Sequence, residues 1–428
     1  MRMKKAISTI AFLLLVALVT VSLSNLLRDK TSRNGKSEYF NAKTEFDALY
    51  FGASRMHEAI DPIYIWNNYG ISSYNLASAG ESIQVTYFVV KEALEHSEPK
   101  VVFVDSAIIG DVKDDINCGY GYVHQSIDAL PLNENKLEAI KYAGQFFDGG
   151  MLAFISPLYA YHNRYENLTK DDFVANYNYD KGAYMLSTFR QVEGISEYTD
   201  EAETLKGGDG TVYLTKILDL CKEKGIQCVL VDVPVPGHMF NEKRQRRMNA
   251  LKKLTEEHGG AYMGLNEKDA GIDIDYDYDF GDSVHLNYLG GNKTADKLAE
   301  YMTDELKIGD HRNDPVYAEP WTEDVQKYKA QRLERVAEQV DAVSYMNWLG
   351  GEDYTYTMYV TDKSLLPTQY AMDYCMENFD IEVIEDPEQE TTGNYDMKIE
   401  VRRRSDGEFA TKQFFQYDYN GKIYMKAE

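Results

Sequence analysis

Cysteine is scarce in this chain of 428 residues, with four in all. Cys118, Cys221, Cys228 and Cys375 form no Cys-x-x-Cys pair and no spacing suited to a metal, so thiol chemistry does not carry the function. Cys221 and Cys228 flank a helix-to-strand turn and can approach one another, but no disulfide is expected, and an exported body would rest on packing alone. Positive charge is also short. Lys and Arg number 45 against 70 Asp and Glu, a net charge of −25, which excludes nucleic acid as a partner because phosphate neutralisation needs the opposite sign. There is no Gly-rich phosphate loop, no His-Glu-x-x-His and no internal repeat, and neither metal nor cofactor is expected. The alternating acidic run from Asp273 through Asp275, Asp277 and Asp279 to Phe280 fails as a calcium loop. No register starting at Asp273 or Asp275 supplies both the central Gly and the terminal Glu of an EF-hand. A strand-like segment with one acidic face is expected there instead.

What the chain does have begins at its N-terminus. After Arg2, Lys4 and Lys5, residues 6–27 carry no charge, and at about 1.5 Å per residue they just span a bilayer core of roughly 30 Å. Ser22-Leu23-Ser24 is a passable cleavage site, which leaves a signal peptide open. Leu26 and Leu27 extend the apolar run beyond a usual signal core, favouring a single-pass anchor in the cell membrane. Arg28, Lys30, Arg33 and Lys36 nearly balance the head's charge, and the five-residue head before a large domain favours an extracytoplasmic body. No cysteine lies near the segment's end to take a lipid.

Three regions follow: an anchor over 1–36, an α/β domain over 37–310 and an α+β domain over 311–428. In the second, short apolar runs at Ala48–Phe51, Tyr74–Leu76, Val101–Val104, Cys228–Val233 and Ala261–Met263 predict parallel strands covered on both faces. Helices are predicted over Ile83–His96, Val212–Lys224, Asn241–His258 and Leu289–Leu306, with Gly225 and Gly259 as stops. This alternation predicts a three-layer α/β fold with ligands beyond the strands' carboxyl ends. Residues 110–210 break the rhythm with an aromatic, polar stretch, an insertion of the kind that forms a lid or binding wall. In the third region one long helix is expected over Trp321–Trp348. Strand Tyr354–Val360, helix Leu365–Phe379, and strands at Ile381–Ile384, Tyr395–Val401 and Phe414–Tyr424 follow, the last folding back at Asn420-Gly421.

The chemistry lies in two distant pieces. Gly52-Ala53-Ser54 leaves the strand Ala48–Phe51 on small residues, and Asp282-Ser283-Val284-His285 precedes the last helix of the α/β region. Gly-x-Ser after a strand is a common turn, and Asp-x-x-His alone is equally unspecific. Together they supply what a serine nucleophile requires: a base for its proton and a carboxylate to hold that base in the right tautomer.

With Asn75-Leu76-Ala77-Ser78-Ala79-Gly80 between them, residues 46–306 resemble the SGNH/GDSL hydrolase superfamily. The resemblance implies Ser54 as nucleophile, Asp282 as orienting acid, His285 as base, and the Ser54 and Gly80 N–H groups as oxyanion donors. Gly-Ala-Ser-Arg in place of Gly-Asp-Ser-Leu resembles the membrane-anchored branch of the D-alanine transfer protein and the alginate O-acetyltransferases. That branch implies a serine esterase or O-acyltransferase acting on a cell-surface polysaccharide or an acylated small molecule, with a multispanning membrane acyl carrier as partner. The third block departs from the family: the strand ends Val104-Asp105-Ser106-Ala107, without the Asn that donates to the oxyanion. Losing one such donor costs on the order of 100- to 1000-fold in rate. Ser106 or an insertion residue takes that role, or the site is slow or degenerate and the protein binds glycan or scaffolds polymer assembly. In the insertion, His162, Arg164 and Tyr165 resemble a segment of the same branch. Arg164 either grips an anionic substrate group or stacks on Tyr to hold the lid, and Arg55 is either a substrate contact or a capping ion pair.

Overall fold

The computed structural model describes residues 2–27, 34–42, 44–109, 119–173, 177–205, 207–351, 353–368, 370–386, 395–419 and 422–427. Cys118, Gly110, the flanking Arg28, Lys30 and Arg33, and the expected Asn420-Gly421 turn lie outside them.

Five parallel strands form the central sheet: β1 (Ala48–Phe51), β2 (Ser73–Asn75), β3 (Val101–Asp105), β4 (Gln227–Asp232) and β5 (Ala261–Gly264), in the order β2-β1-β3-β4-β5. Ala48 pairs with Ser73 on one side and Val101 on the other, so β1 is central. Side chains alternate between two cores, as a period of two requires. Leu49, Phe51, Val102, Val104 and Leu230 face one core, and Ala48, Tyr50, Phe103, Val229 and Val231 the other.

The helices of this unit are α1 (Arg2–Leu27), α2 (Asn34–Asn41), α3 (Ser54–Ala59), α4 (Pro62–Tyr69), α5 (Ile83–His96), α6 (Tyr120–Ala129), α7 (Glu134–Ala143), α8 (Met151–Ile155), α9 (Pro157–Tyr161), α10 (Asp209–Lys224), α11 (Glu242–Glu257) and α12 (Tyr288–Asp304). Residues from α5, α10 and α11 fill the first core and residues from α3, α4 and α12 the second. The sheet is thus the middle of three layers. Asn241 and Asn287 cap α11 and α12 through their side-chain oxygens, which places the helix starts next to the expected ones.

The 23 residues Lys5–Leu27 of α1 are long and apolar enough to cross a membrane, and those up to Leu23 lie exposed, as fits a signal anchor or signal sequence. The next helix is already part of the packed unit. Tyr39 of α2 is fully buried, donates to the Ala93 carbonyl and packs at a tilt against the rings of Phe46 and Tyr74. The first half of the insertion is helical, with α6 and α7 packed on α5, α8 on α9, and α9 on α1, while residues 177–205 run as an irregular segment.

Beyond Ile308 come α13 (Pro315–Arg335), α14 (Ala342–Leu349), β6 (Tyr354–Val360), α15 (Met372–Asn378), β7 (Ile381–Glu385), β8 (Met397–Arg403), β9 (Phe409–Tyr419) and β10 (Lys422–Lys426). The strands form a second, mixed sheet in the order β10-β9-β8-β6-β7, with β6 and β7 parallel. Tyr354, Tyr356, Met358 and Val360 alternate into a core with α14 and α15.

Three expectations are corrected. The single helix over Trp321–Trp348 is two, because Asp341 caps a new helix by accepting from Ser344 N–H, and Lys412 holds the Ala337 and Gln339 carbonyls at the break. The helix over Leu365–Phe379 is a 3-10 turn followed by α15, divided at Ala371, whose φ of 61° no helix accommodates. The acidic run 273–280 is a looped segment, not a strand. Asp279 turns inward to accept from the Asp275 N–H and pair with Lys293, while Tyr276 stacks on Phe280.

Candidate active site

Gly52 ends β1 in a backbone shape suited to glycine, φ +154°, and a Cβ there would stand 2.4 Å from the Asp105 Cβ. The small-residue turn is therefore a steric requirement. It lets β3 approach while the chain swings directly into α3, which Ser54 opens. The first N–H groups of a helix have no intrahelical acceptor, so the turn presents Ser54 beside backbone donors. Asn75 fixes the far end of α3, donating to the Met56 and Ile60 carbonyls and accepting from Ala77 N–H.

The other half arrives on the loop before α12. Asn287 is buried, donates to the Thr188 and Tyr278 carbonyls and accepts from Leu289 N–H, so the loop is held just past His285. Asp282 Oδ1 accepts from the Val284 and His285 N–H groups at 2.7 and 2.8 Å. Its other oxygen lies 2.9 Å from His285 Nδ1, and His285 Nε2 lies 2.8 Å from Ser54 Oγ. The structure brings together the serine, imidazole and carboxylate that the sequence pairs across more than two hundred residues. Partial burial pushes the Asp282 carboxyl up, but the bonds from the His285 ring and the two N–H groups outweigh it and hold the pKa below the carboxylate's ordinary value.

A second carboxylate stands at the same nitrogen. Glu58 lies one turn beyond Ser54 on α3, and its Oε2 is 3.4 Å from His285 Nδ1. Desolvation first, and then the Asp282 charge, push the Glu58 pKa up to about 8. Sequence reading missed Glu58, although the i, i+4 spacing from Ser54 puts both on one helical face.

Gly80 sits in the loop after β2 at φ +62°, with the Tyr122 ring against it so closely that a Cβ would overlap the ring. A buried polar cluster holds this loop. Lys36 Nζ lies 2.6 Å from Ser78 Oγ and 3.0 Å from Glu81 Oε2, and Ser126 donates to the same carboxylate. Desolvation lowers the Lys36 pKa against the pull of Glu81. These residues also escaped the sequence reading, since Lys36 looked like an anchor flank.

Ser106, the residue expected to stand in for the oxyanion Asn, is engaged with another strand. It is fully buried and donates to Asp232 at 2.9 Å, within a network in which Arg244 and Asn266 also hold Asp232. Its proton ties the end of β3 to β4. Arg55 lies close enough to Asp105 for its charge to lower that carboxyl's pKa, against the larger upward push of burial. The insertion reaches the site through Tyr122 at Gly80 and Tyr184, which stacks on His57 with ring centres 5.9 Å apart. The pocket-wall residues expected within it are held differently. Arg164 pairs with Asp172 at 2.8 Å and donates to the Leu27 carbonyl, His162 Nδ1 lies 3.1 Å from the Tyr159 carbonyl, and Tyr165 donates to Glu166. Cys221 and Cys228 meet as free, hydrogen-bonded thiols.

No family model matches this chain, and no curated protein matches it. Among solved structures, it is similar to a candidate acylhydrolase from Bacteroides fragilis at 9% identity and a TM-score of 0.32, covering 65% of this chain and 99% of that one. A GDSL-like lipase from Bacteroides thetaiotaomicron is similar at 8% identity and a TM-score of 0.31, covering 65% and 98%. A candidate GDSL-like lipase from Parabacteroides merdae is similar at 12% identity and a TM-score of 0.29, covering 60% and 96%.

Proposed function

We propose that this chain is a membrane-anchored serine esterase or O-acyltransferase of the SGNH type, acting through an acyl-Ser54 intermediate. The observation that carries the reading is the contact of His285 Nε2 with Ser54 Oγ at 2.8 Å, with Asp282 on the ring's other nitrogen. In the first step Ser54 Oγ attacks an ester carbonyl carbon while its proton passes to His285 Nε2. Asp282 keeps the remaining ring proton on Nδ1 and favours the imidazolium so formed. The tetrahedral oxygen, now negative, is met by the backbone N–H groups of Ser54 and Gly80. Collapse expels the alcohol, which takes the proton from His285 and leaves the acyl group on Ser54. A sugar hydroxyl or water then attacks the acyl carbon as its proton passes to His285, and His285 returns that proton to Ser54 Oγ as the serine is released.

A cell-surface carbohydrate is the proposed acceptor, reached from a body held outside the membrane by residues 6–27. An acylated small molecule or a multispanning membrane acyl carrier is the proposed donor. A second reading, a degenerate site that binds glycan or scaffolds polymer assembly, is favoured by the commitment of Ser106 to Asp232 in place of the family's oxyanion Asn. Release of nitrophenol from a nitrophenyl acetate, with acylation of Ser54 followed by intact mass, separates the two. The enzyme reading expects turnover and an acetyl adduct that vanish in Ser54→Ala and His285→Ala. Absence of any adduct on the folded wild-type chain would move the assignment to the second.

A further inference from the structure

From Gly149 to Asn163 the chain carries no Asp, Glu, Lys or Arg, although 27% of the whole is charged. It contains α8 and α9; Ala153 and Phe154 turn into the core, but the other face of α8 leaves its apolar side chains exposed. Leu152 is 58% exposed and Ile155 56%, with Met151 beside them on α8 and Tyr159 on α9. Nearby, Tyr165 is 63% and Phe173 68% exposed. Contiguous apolar surface left open on a soluble face marks an interaction site.

Its position relative to α1 identifies the occupant. α9 and the turn containing Arg164 pack on α1, and in its last turn Ser24 and Leu27 are buried while Leu18, Val19, Val21 and Leu23 remain exposed. Arg164 ties this contact down, donating to the Leu27 carbonyl while paired with Asp172, next to Phe173. At about 1.5 Å per residue, Leu23 is roughly 6 Å below Leu27 along the helix. When Leu18–Leu23 lie in hydrocarbon, the apolar groups of α8 and α9 stand at the depth of the headgroups and upper acyl chains. Tyrosines are favoured at that depth, because the ring is apolar and the hydroxyl is wet. The patch continues the apolar surface of the anchor itself.

We propose that α8 and α9, with Tyr165 and Phe173, form an interfacial docking surface that seats the body on the lipid bilayer beside its anchor. This rests on the reading of α1 as a membrane span, and it makes the insertion a foot on the membrane. The Arg164–Asp172 pair positions that foot against the anchor.

The test uses the full chain reconstituted in vesicles of a zwitterionic lipid carrying bromine either near the glycerol end or near the middle of the acyl chain. Tryptophan emission is read against the parent for Leu152→Trp, Val19→Trp and Phe409→Trp, all at exposed positions. Expected are quenching of Leu152→Trp by the shallow bromines, of Val19→Trp by the deep ones, and of Phe409→Trp by aqueous iodide alone. Quenching at Val19 with Leu152→Trp open to iodide would overturn the docking surface and leave the anchor standing. Shielding of Leu152→Trp from both quenchers would assign the patch to a protein partner or a second copy and also overturn it. Failure of bromine to reach Val19→Trp would remove the anchor, and the docking surface with it.

Discussion

Glu58 Oε2 reaches His285 Nδ1 at 3.4 Å, the nitrogen that Asp282 faces at 2.9 Å, so one imidazole edge carries two carboxylates of different character. Asp282 is held below the ordinary carboxylate range by its hydrogen bonds, while Glu58 is pushed up to about 8 by burial and by Asp282. At neutral pH the first is ionised and the second protonated. The arrangement resembles the division of labour that separates paired carboxyls elsewhere, where environment and not residue type assigns the charge.

Ionisation of Glu58 places a second negative charge at Nδ1 and makes His285 a stronger base. The kcat/KM profile of the wild type should therefore show an inflection near pH 8 that Glu58→Gln lacks, with rates at pH 7 differing by only a few-fold. Asp282→Ala should lose activity severely at pH 7, on the order of 10⁴-fold by analogy with loss of an orienting carboxylate. Part should return as pH rises while Glu58 is present, at a lower pH than the wild-type inflection because the Asp282 charge no longer helps hold Glu58 up, and none in Asp282→Ala with Glu58→Gln. Superposable profiles for all four proteins would remove Glu58 from the site's function.

The same carboxyl predicts a stability effect of defined sign. Its folded-state pKa, about 8, lies above the ordinary 4.5, so the folded protein holds this proton more tightly than the unfolded chain. The contribution is complete below about pH 4.5 and is lost as pH rises toward 8. Glu58→Gln should flatten that part of the Tm-versus-pH curve. An unchanged slope in the variant would place Glu58 in a more solvated state than this geometry gives it.

Much of this site was legible because its chemistry is local in sequence. Ser54 follows an apolar strand on residues small enough to let β3 approach, and Asp282 needs only three residues to reach back to His285. What stayed hidden depends on contacts between distant segments. Lys36 has the composition of an anchor flank, and only folding of α2 against the loop after β2 shows it to be a buried partner of Glu81. Ser106 sits at the right strand end for an oxyanion donor, but Asp232, 126 residues later, takes its proton. The long helix over Trp321–Trp348 failed for a related reason. Its apolar periodicity continues across the break, while the cap at Asp341 and the clamp from Lys412 that divide it come from packing.

Ser106→Ala separates a strut from a catalytic donor. Removing the hydroxyl takes one hydrogen bond from the buried Asp232 carboxylate, a loss of about 1.5–3 kcal/mol for a bond to a charged group. Thermal unfolding should show that loss, with turnover per folded molecule changed little because Arg244 and Asn266 still hold Asp232. Turnover reduced by about two orders of magnitude or more, at unchanged Tm, would restore Ser106 to the oxyanion site.

Lys36 makes the most demanding case, because it joins the residues just after the anchor to the loop that carries Gly80. Its ammonium and the Glu81 carboxylate are both out of water, so Lys36→Met strands a buried negative charge and should cost about 3–5 kcal/mol. The loop should shift as well, since Ser78 loses the same partner, and the Gly80 N–H moves with it. Activity should therefore fall in kcat more than in KM, while binding at sites remote from the loop stays intact. Lys36→Met combined with Glu81→Gln removes the stranded charge and should recover much of the stability, because a buried pair replaced on both sides is often close to neutral. If Gly80 acts in the oxyanion site, kcat recovers only partly in the double variant, since the neutral pair no longer holds the loop in one place. Full recovery of kcat alongside stability would make Lys36 a structural residue alone and separate the membrane-proximal helix from catalysis.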